Sequence, residues 1–182
     1  MKSLSVSLLL CALLMVGGCT SIAGSDGYGN RTDYAIERDT DVARTLWDRI
    51  RQDEALDGSH INVDVYNGFV LLTGQVPDER VQARADELAR STPEVRRVRN
   101  ALTVGPNTAT TQRLRDTWVT AQARARLAAS EHIDSNRVRI LTEDGVVYLM
   151  GLVRPGEADY VVNVVADARG VARIVKVFEY LN

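Results

Sequence analysis

The pattern of apolar and polar positions predicts a helix followed by a β-hairpin. Between about residues 40 and 54, apolar side chains recur at i, i+4 and i+8, which is the spacing of one helix face. Two apolar, β-branched runs follow at about 61–66 and 69–76, separated by Asn67-Gly68. Asn-Gly is a strong signal for a hairpin, because a two-residue type I′ turn needs positive φ at both central residues.

A second helix and a third strand complete the unit. Pro77 ends the hairpin strand, and Asp78-Glu79 is typical of a helix start with acidic residues in its first turn. Pro93 ends this helix, and the apolar run over 95–104 predicts a strand. The order of elements is therefore helix, strand, strand, helix, strand.

The same unit occurs a second time. Asn67–Val76 reads NGFVLLTGQV, and Asp144–Val153, 77 positions later, reads DGVVYLMGLV. The offset also relates the helices and strands around the hairpin, which indicates a duplication. We expect an α+β fold of two tandem αββαβ modules, residues 40–106 and 107–182, each a three-stranded sheet with two helices on one face.

Four glycines of the repeated hairpin have predicted structural roles and no predicted ligand role. Gly68 and Gly145 follow Asn or Asp, and we expect them to supply positive φ in the turn. Gly74 and Gly151 lie inside the return strand, where a glycine marks a bulge or a close approach of backbone.

The N-terminus has the pattern of an export signal. A positive start is followed by an apolar run, Leu4–Val16, which is shorter than the roughly 20 residues needed to cross a bilayer. This is the shape of a secretory signal peptide. Val16-Gly17-Gly18-Cys19 resembles a bacterial lipobox, which implies a signal peptide over 1–18 and a diacylated Cys19. The alternative is a plain signal peptide in which the cysteine is incidental.

The residues after Cys19 predict a flexible tether over 19–39, because they are rich in Gly, Ser, Asp and Asn. Thr20, rather than Asp, follows the cysteine, as in lipoproteins that are released to the outer membrane. Stable anchoring requires more than one acyl chain. We therefore expect a protein held at the periplasmic face of the outer membrane without a transmembrane helix.

Two strand motifs carry a family resemblance. The return strand of the hairpin reads G-x-V-x-L-x-G-x-V in both copies, and the third strand of the first copy reads V-x-x-V-x-N-x-L-x-V. With the αββαβ order, these motifs resemble the BON domain. The second copy departs at Lys176, where the pattern has Asn.

A lipobox followed by two such domains resembles the dual BON-domain outer-membrane lipoproteins of the DolP/YraP type. The resemblance implies phospholipid binding and a role in envelope integrity, without enzymatic activity. It covers nearly the whole chain after the predicted signal peptide.

Alternation along the strands leaves an apolar outer face on each sheet, too large to remain in water. We expect the two outer faces to bury each other and form the interdomain contact. The alternative is a homodimer or a site for a partner protein. The residues assigned to this face are Phe69, Leu71, Val146, Tyr148, Met150, Val175 and Val177.

The first helix of the second module carries a second apolar stripe, nearly opposite its core stripe. It consists of Leu114, Trp118, Ala121 and Ala125, bordered by Arg113, Arg115, Arg124 and Arg126. Trp with flanking Arg suits a membrane interface, because the indole sits at headgroup level and guanidinium groups bind lipid phosphates. We expect binding to anionic phospholipid here. The alternative is that Trp118 packs on the linker or the first module.

The charge of the chain argues against nucleic acid binding and differs between the two modules. The formal net charge of −2 gives no global basic field, so nucleic acid is not an expected partner. The two modules differ, with −2 for residues 40–106 and +1 for 107–182. The carboxylates are expected on solvated helix faces.

No catalytic constellation or phosphate loop occurs, so we expect no enzymatic activity and no cofactor. His60 and His132 lack clustered ligands, and both cysteines precede the fold, so no metal site is expected.

Two other functions remain open from the sequence. One is a protein-interaction adaptor that docks an envelope assembly protein through the outer sheet face or the acidic first module. The other is an accessory of a secretion apparatus or mechanosensitive channel. The oligomeric state is left open.

Overall fold

The structure is a computed structural model that describes residues 31–181. The predicted signal peptide, Cys19 and residues 20–30 of the predicted tether lie outside the described residues. Four helices and six strands are described, in the order helix, strand, strand, helix, strand, twice over. They are α1 Asp33–Gln52, β1 His60–Tyr66, β2 Phe69–Val76, α2 Glu79–Arg90, β3 Arg97–Val104, α3 Thr110–Ala128, β4 Val138–Glu143, β5 Val146–Val153, α4 Pro155–Ala166 and β6 Arg173–Tyr180.

Each module has a mixed three-stranded sheet with the hairpin's second strand at its centre. The orders are β1-β2-β3 and β4-β5-β6. The hairpin pairs are antiparallel, and β3 and β6 pair parallel to β2 and β5. A parallel neighbour requires a crossover, which α2 and α4 supply. The predicted α+β class and the two αββαβ modules are confirmed.

Each core lies between the helices and the inner face of the sheet. In the first module, Val42, Leu46 and Ile50 of α1 pack against Val70 and Leu72 of β2. The second core repeats this arrangement with the equivalent positions, and its buried residues include Val119, Ala123, Leu127, Val147, Leu149 and Val161. The apolar residues that recur periodically in the sequence are therefore the residues that face the core.

The helix α1 begins at Asp33, earlier than the predicted start near residue 40. Thr32 caps it, because the Thr32 hydroxyl oxygen accepts a hydrogen bond from the Ala35 N–H at 3.2 Å. Residues 33–39, assigned to the flexible tether by composition, are thus helical, and that part of the prediction is wrong. The apolar side chains of these extra turns, Tyr34 and Ile36, are exposed. The extra turns therefore lack the regular spacing of buried apolar residues from which a helix is predicted.

The hairpin turns have the backbone conformation of type I′. Asn67 and Gly68 have φ of +52° and +72°, and Asp144 and Gly145 have +48° and +72°.

Further along the return strands, the backbone of the paired strand lies very close to a glycine. A Cβ built on Gly74 would lie 2.0 Å from the His60 carbonyl oxygen, and one on Gly151 would lie 2.7 Å from that of Arg137. The structure therefore places a close backbone approach at both positions.

A buried aspartate on the first helix of each module holds the hairpin turn. Asp39 of α1 accepts hydrogen bonds from the N–H groups of Asn67 and Gly68. Asp116 of α3, 77 positions later, accepts from Asp144 N–H and Gly145 N–H, both at 2.9 Å. Both aspartates are buried, so the expectation that the carboxylates lie on solvated faces is wrong for these two.

The two sheets pack against each other through their outer faces. Tyr66, Leu71, Tyr148, Met150 and Val177 form one buried cluster drawn from both modules. Phe69, Val146 and Val175 are partly buried against this cluster. All the residues assigned to the interdomain face therefore come together, and the helices of each module face away from the interface.

Candidate lipid-binding face on the second module

The solvent side of α3 carries large apolar side chains. Trp118 is 53% exposed and Leu114 is 66% exposed. Ala121 and Ala125 are also exposed, on the same face. The opposite side of α3 is buried through Val119, Ala123 and Leu127 in the core of the second module, together with Asp116 at the hairpin. The alternative in which Trp118 packs on the linker or the first module does not fit this exposure.

The four arginines that border this face divide into two pairs. Arg115 and Arg126 are exposed on one side of the stripe. Arg113, on the other side, is half-buried. Arg124 is exposed, but its Nη2 donates a hydrogen bond to the Ile140 carbonyl oxygen of β4 at 3.1 Å. The second pair, Arg113 and Arg124, therefore lies next to the edge of the sheet, whereas Arg115 and Arg126 face solvent.

A groove of about 530 Å³ runs beside this second pair. Its walls are α3, the edge strands β1 and β4, and the side chain of Trp47 from α1, which is 39% exposed. Ala121 lines the groove and also belongs to the apolar stripe, so the two surfaces adjoin. The charged or ionisable side chains along the groove are His60, Asp64, Arg113, Asp116, Arg124 and Glu143.

The junction of the modules has a polar rim around its apolar centre. The Tyr66 hydroxyl donates to the Arg137 carbonyl oxygen at 2.9 Å. Glu143 accepts hydrogen bonds from the side-chain amides of Asn62 and Gln75, at 3.1 and 2.8 Å. Arg139 of β4 pairs with Asp64 of β1 at 3.0 Å. These contacts fix one module relative to the other.

On the opposite side of the junction, Glu179 of β6 accepts from Asn67 and Arg96 at 2.7 and 3.1 Å. Because the outer sheet faces are covered in this way, they are not open to a partner protein. The hypothesis that a partner docks on the face around Tyr148, which is 5% exposed, is therefore contradicted.

Burial perturbs two tyrosines of the junction. Desolvation raises the pKa of the Tyr66 phenol and of the Tyr148 phenol above 10.0. Both phenols are consequently neutral at physiological pH and act as apolar bodies with one polar tip. Tyr66 was not assigned to the interdomain face from the sequence, because it ends β1 rather than lying in the return strand.

Residues 31–181 show neither a metal-binding cluster nor a candidate membrane-spanning helix. No group of three or more His, Cys, Asp and Glu side chains is placed to hold a metal ion there. Within the same residues, no helix combines the length and apolarity needed to cross a bilayer.

Comparisons with known proteins place these observations in a family. The BON domain profile matches residues 38–106 and 115–182. The chain is 28% identical over 185 residues to the outer membrane lipoprotein DolP of Haemophilus influenzae, covering 97% of this chain and 96% of that protein. It is 33% identical over 123 residues to the 21 kDa hemolysin of Actinobacillus pleuropneumoniae, covering 68% of this chain and 63% of that protein. Neither name denotes an enzyme.

Among solved structures, the chain resembles CdsD, a structural protein of the type III secretion system of Chlamydia trachomatis. The identity is 14%, the coverage is 78% of this chain and 92% of that chain, and the TM-score is 0.31, which supports no argument about function. The profile matches and the full-length similarity to DolP carry the assignment instead. The chain belongs to the BON-domain family, as a dual BON-domain outer-membrane lipoprotein of the DolP/YraP type.

Proposed function

We propose that the second BON domain binds anionic phospholipid through the solvent face of α3 and that this binding supports envelope integrity. The observation that carries the proposal is the exposure of Trp118 and Leu114 on one helix face, flanked by Arg115 and Arg126. An apolar stripe of this kind, placed beside cations, suits the boundary between headgroups and acyl chains.

The expected strength of this contact is modest. Each basic residue near an anionic surface contributes about 1 kcal/mol, and the contribution falls with ionic strength. Acylation of Cys19, which remains a prediction, would anchor the chain and raise the effective concentration of α3 at the periplasmic surface of the outer membrane. Lipid contact by α3 would then be sensitive to membrane composition without having to hold the protein there alone.

Vesicle co-sedimentation tests the site. The mature chain, residues 19–182 with Cys19→Ser, is mixed with vesicles that contain or lack an anionic phospholipid. We expect Trp118→Ala and the double variant Arg115→Glu, Arg126→Glu to reduce the bound fraction on anionic vesicles at least fivefold. Tyr34→Ala is the control, because it removes an exposed aromatic side chain of α1 that lies outside the groove beside α3.

Two outcomes would count against this assignment. Unchanged binding by Trp118→Ala would remove α3 as the site. Equal loss on Tyr34→Ala would indicate a nonspecific aromatic effect. The role in the envelope is tested separately, by asking whether the full lipoprotein carrying Trp118→Ala restores detergent resistance to cells that lack the native protein.

A protein-interaction adaptor is the second candidate function, and one observation favours it. A groove of about 420 Å³ lies beside α1, and the exposed Tyr34 lines it. Its charged lining residues are three carboxylates, Glu37, Asp41 and Glu94, against one guanidinium, Arg38. Such an acidic groove would suit a basic segment of an envelope assembly protein. Binding to a purified partner that persists without lipid, and that is lost on Asp41→Arg while Trp118→Ala leaves it intact, would favour the adaptor.

A further inference from the structure

The strands β3 and β6 each form an edge of their sheet, because within residues 31–181 each pairs only with its central strand. In a parallel pair, alternate residues of an edge strand bond to the neighbour, and the residues between them direct N–H and C=O groups outward. The bonds from Gly105 N–H and Leu181 N–H to the central strands, both at 2.9 Å, set this alternation. Leu102 of β3 and Phe178 of β6 therefore direct their backbone groups away from the sheet.

Side chains of the first module occupy the backbone groups of Leu102. The Asn100 Oδ1 atom accepts a hydrogen bond from Leu102 N–H at 3.1 Å, and Gln82 Nε2 donates to the Leu102 carbonyl oxygen at 2.6 Å. The Asn100 amide also donates to the Gln82 carbonyl oxygen at 3.0 Å and so holds the two side chains together. A strand that added to β3 would have to displace these bonds, so the edge of the first sheet is closed at Leu102.

The second module lacks the asparagine of this arrangement. Leu102 and Phe178 are equivalent, because each lies opposite the second glycine of its return strand. Two residues earlier, where β3 has Asn100, β6 has Lys176. The Lys176 Nζ atom does not reach back to the strand and instead pairs with Asp159 of α4 at 2.8 Å. The position where the second copy departs from the BON pattern is therefore the position that closes the edge in the first copy.

The glutamine is also missing from the second module. Gln82 and Ala158 lie the same number of residues after the N-caps of their crossover helices, and Ala158 has no side-chain donor. No side chain of the described residues bonds to the backbone of Phe178. The neighbouring outward positions, Lys176 and Tyr180, are exposed. Unpaired backbone groups on an exposed edge are a template for another strand, so β6 is an open edge where β3 is a closed one.

Two exposed cations beside this edge have no carboxylate partner. Arg99 of β3 and Arg173 of β6 form no ion pair within the described part of the chain. Both belong to the outer sheet faces, opposite residues of the apolar cluster that joins the modules. Glu179, the carboxylate of β6, already accepts hydrogen bonds from the first module. The positive charge near the open edge therefore complements an acidic ligand.

We propose that β6 is a docking edge, which accepts an extended acidic segment of a partner protein as a fourth strand of the second sheet. Backbone hydrogen bonds to the outward residues of β6 supply the affinity, and Arg99 and Arg173 select acidic side chains. This surface is separate from the solvent face of α3 and from the acidic groove beside α1, so it requires neither lipid nor a basic partner. A second copy of the chain is an outcome of the test.

The test uses the mature chain with Cys19→Ser and two synthetic peptides of eight residues, the length of β6. One peptide alternates Val and Glu, and the other alternates Val and Lys. Binding is followed by nuclear magnetic resonance of the backbone amides. We expect the acidic peptide to shift the amides of Lys176, Phe178 and Tyr180, and to bind at least tenfold more tightly than the basic peptide.

Two matched sets of variants test the edge and the charge. Lys176→Asn restores the side chain that closes the first sheet and should weaken binding of the acidic peptide at least fivefold. Lys176→Ala removes the same charge without supplying an acceptor, and should change the affinity less than twofold. Arg99→Glu with Arg173→Glu should reverse the preference between the peptides, whereas Arg51→Glu, at an exposed arginine of α1, should leave it unchanged.

Each result bears on one part of the proposal. If the β6 amides shift with neither peptide up to about 5 mM, or if Lys176→Asn and Lys176→Ala bind equally well, the docking edge is overturned. Equal binding of the two peptides overturns the acidic partner. Shifts of the same amides with protein concentration, in the absence of peptide, assign the edge to a second copy instead. Circular dichroism confirms the fold of each variant, and the Lys176 pair decides the matter if the arginine double variant fails to fold.

Discussion

The helices α1 and α3 occupy equivalent positions in two copies of one module, yet they present different faces to solvent. Where α3 has Leu114, Trp118 and Ala125, α1 has Glu37, Asp41 and Asp48. The buried sides, by contrast, have the same design, with an aspartate at the hairpin turn followed by an apolar core stripe. Positions that build the module are alike in both copies, so a function carried by one copy is best sought where the solvent faces differ.

A pair of equivalent arginines shows the same division. Arg49 of α1 donates hydrogen bonds to the Leu88 carbonyl oxygen and to the hydroxyls of Ser91 and Thr92, and so ties α1 to the end of α2. Arg126, at the equivalent position of α3, forms no hydrogen bond or ion pair with the rest of the described chain. The guanidinium group of Arg49 thus joins two helices of the first module, whereas that of Arg126 is available to bind a ligand.

We expect the largest effects on stability from the buried aspartate that both modules use to hold their hairpin turn. Asp39→Ala and Asp116→Ala each leave two N–H groups of a hairpin turn without an acceptor, at about 1–3 kcal/mol per group. We expect a loss of about 2–6 kcal/mol in the free energy of unfolding, measured by urea denaturation. Asp39→Ala should cost more, because it also removes the pair with Arg31 at 2.7 Å.

The corresponding asparagine variants are the controls for this prediction, since their amide oxygen still accepts from one of the N–H groups. A loss below about 1 kcal/mol in both alanine variants would contradict the anchoring role, because the cost of burying even one unpaired N–H group exceeds that value in most proteins.

The glycines of the return strands should differ between the copies. Gly74→Ala combines the closer Cβ approach with a φ of +116°, and we expect a loss of about 3 kcal/mol or more. Gly151→Ala meets a carbonyl oxygen at 2.7 Å and should cost about 1–3 kcal/mol. Gly156→Ala, with no neighbour within 4 Å, is the control. Thermal denaturation ranks the three, and equal losses at Gly74 and Gly151 would refute the distinction.

The junction between the modules should weaken in alkali. Burial raises the pKa of the Tyr148 phenol above 10.0, so the folded state favours the protonated form. Its contribution to stability is fully present below pH 10 and is lost as the pH rises towards the folded-state pKa. Unfolding free energies measured between pH 9 and 11 should therefore fall more steeply for the parent than for Tyr148→Phe. Parallel pH profiles would show that this phenol is not buried in the junction.

The smallest expected effects separate the two equivalent arginines. Arg49→Gln should lower the free energy of unfolding by about 1–2 kcal/mol, through the lost hydrogen bonds to α2, and leave vesicle binding unchanged. Arg126→Gln should change stability by less than about 0.5 kcal/mol and weaken binding to anionic vesicles about fivefold. If Arg49→Gln weakened vesicle binding and Arg126→Gln lowered stability, the proposed contrast between the modules would be wrong.

Much of the fold follows from local signals in the sequence. The Asn67-Gly68 and Asp144-Gly145 turns, the alternation in the return strands and the 77-residue offset together predict the element order and the facing sheets. These features are local, or repeat at a fixed distance, so they can be recognised without knowing the tertiary structure.

The aspartates that hold the hairpin turns were missed from the sequence. Asp39 and Asp116 resemble ordinary solvent-facing residues of charged helices, and their burial depends on contacts 28 and 29 positions away. One signal was present, because both aspartates precede their hairpin turn by the same distance and therefore share the offset of the repeat.

The membrane face was predicted from helical phase, but the surroundings of its arginines were not. Arg113 and Arg124 flank the stripe by phase, yet they also line a groove made with β1 of the other module. That groove exists only because the two sheets dock face to face, so the pattern of one helix could not reveal it.

The central claim is that α3, and not α1, enters the membrane surface, and the two tryptophans of the chain test it directly. Trp47→Phe leaves Trp118 as the sole fluorophore, and Trp118→Phe leaves Trp47. On vesicles of brominated anionic phospholipid, we predict a blue shift and strong quenching of Trp118 and weaker quenching of Trp47, which lines the adjoining groove and not the apolar stripe. Unquenched Trp118 on a vesicle-bound chain, or equal quenching of both residues, would contradict the account.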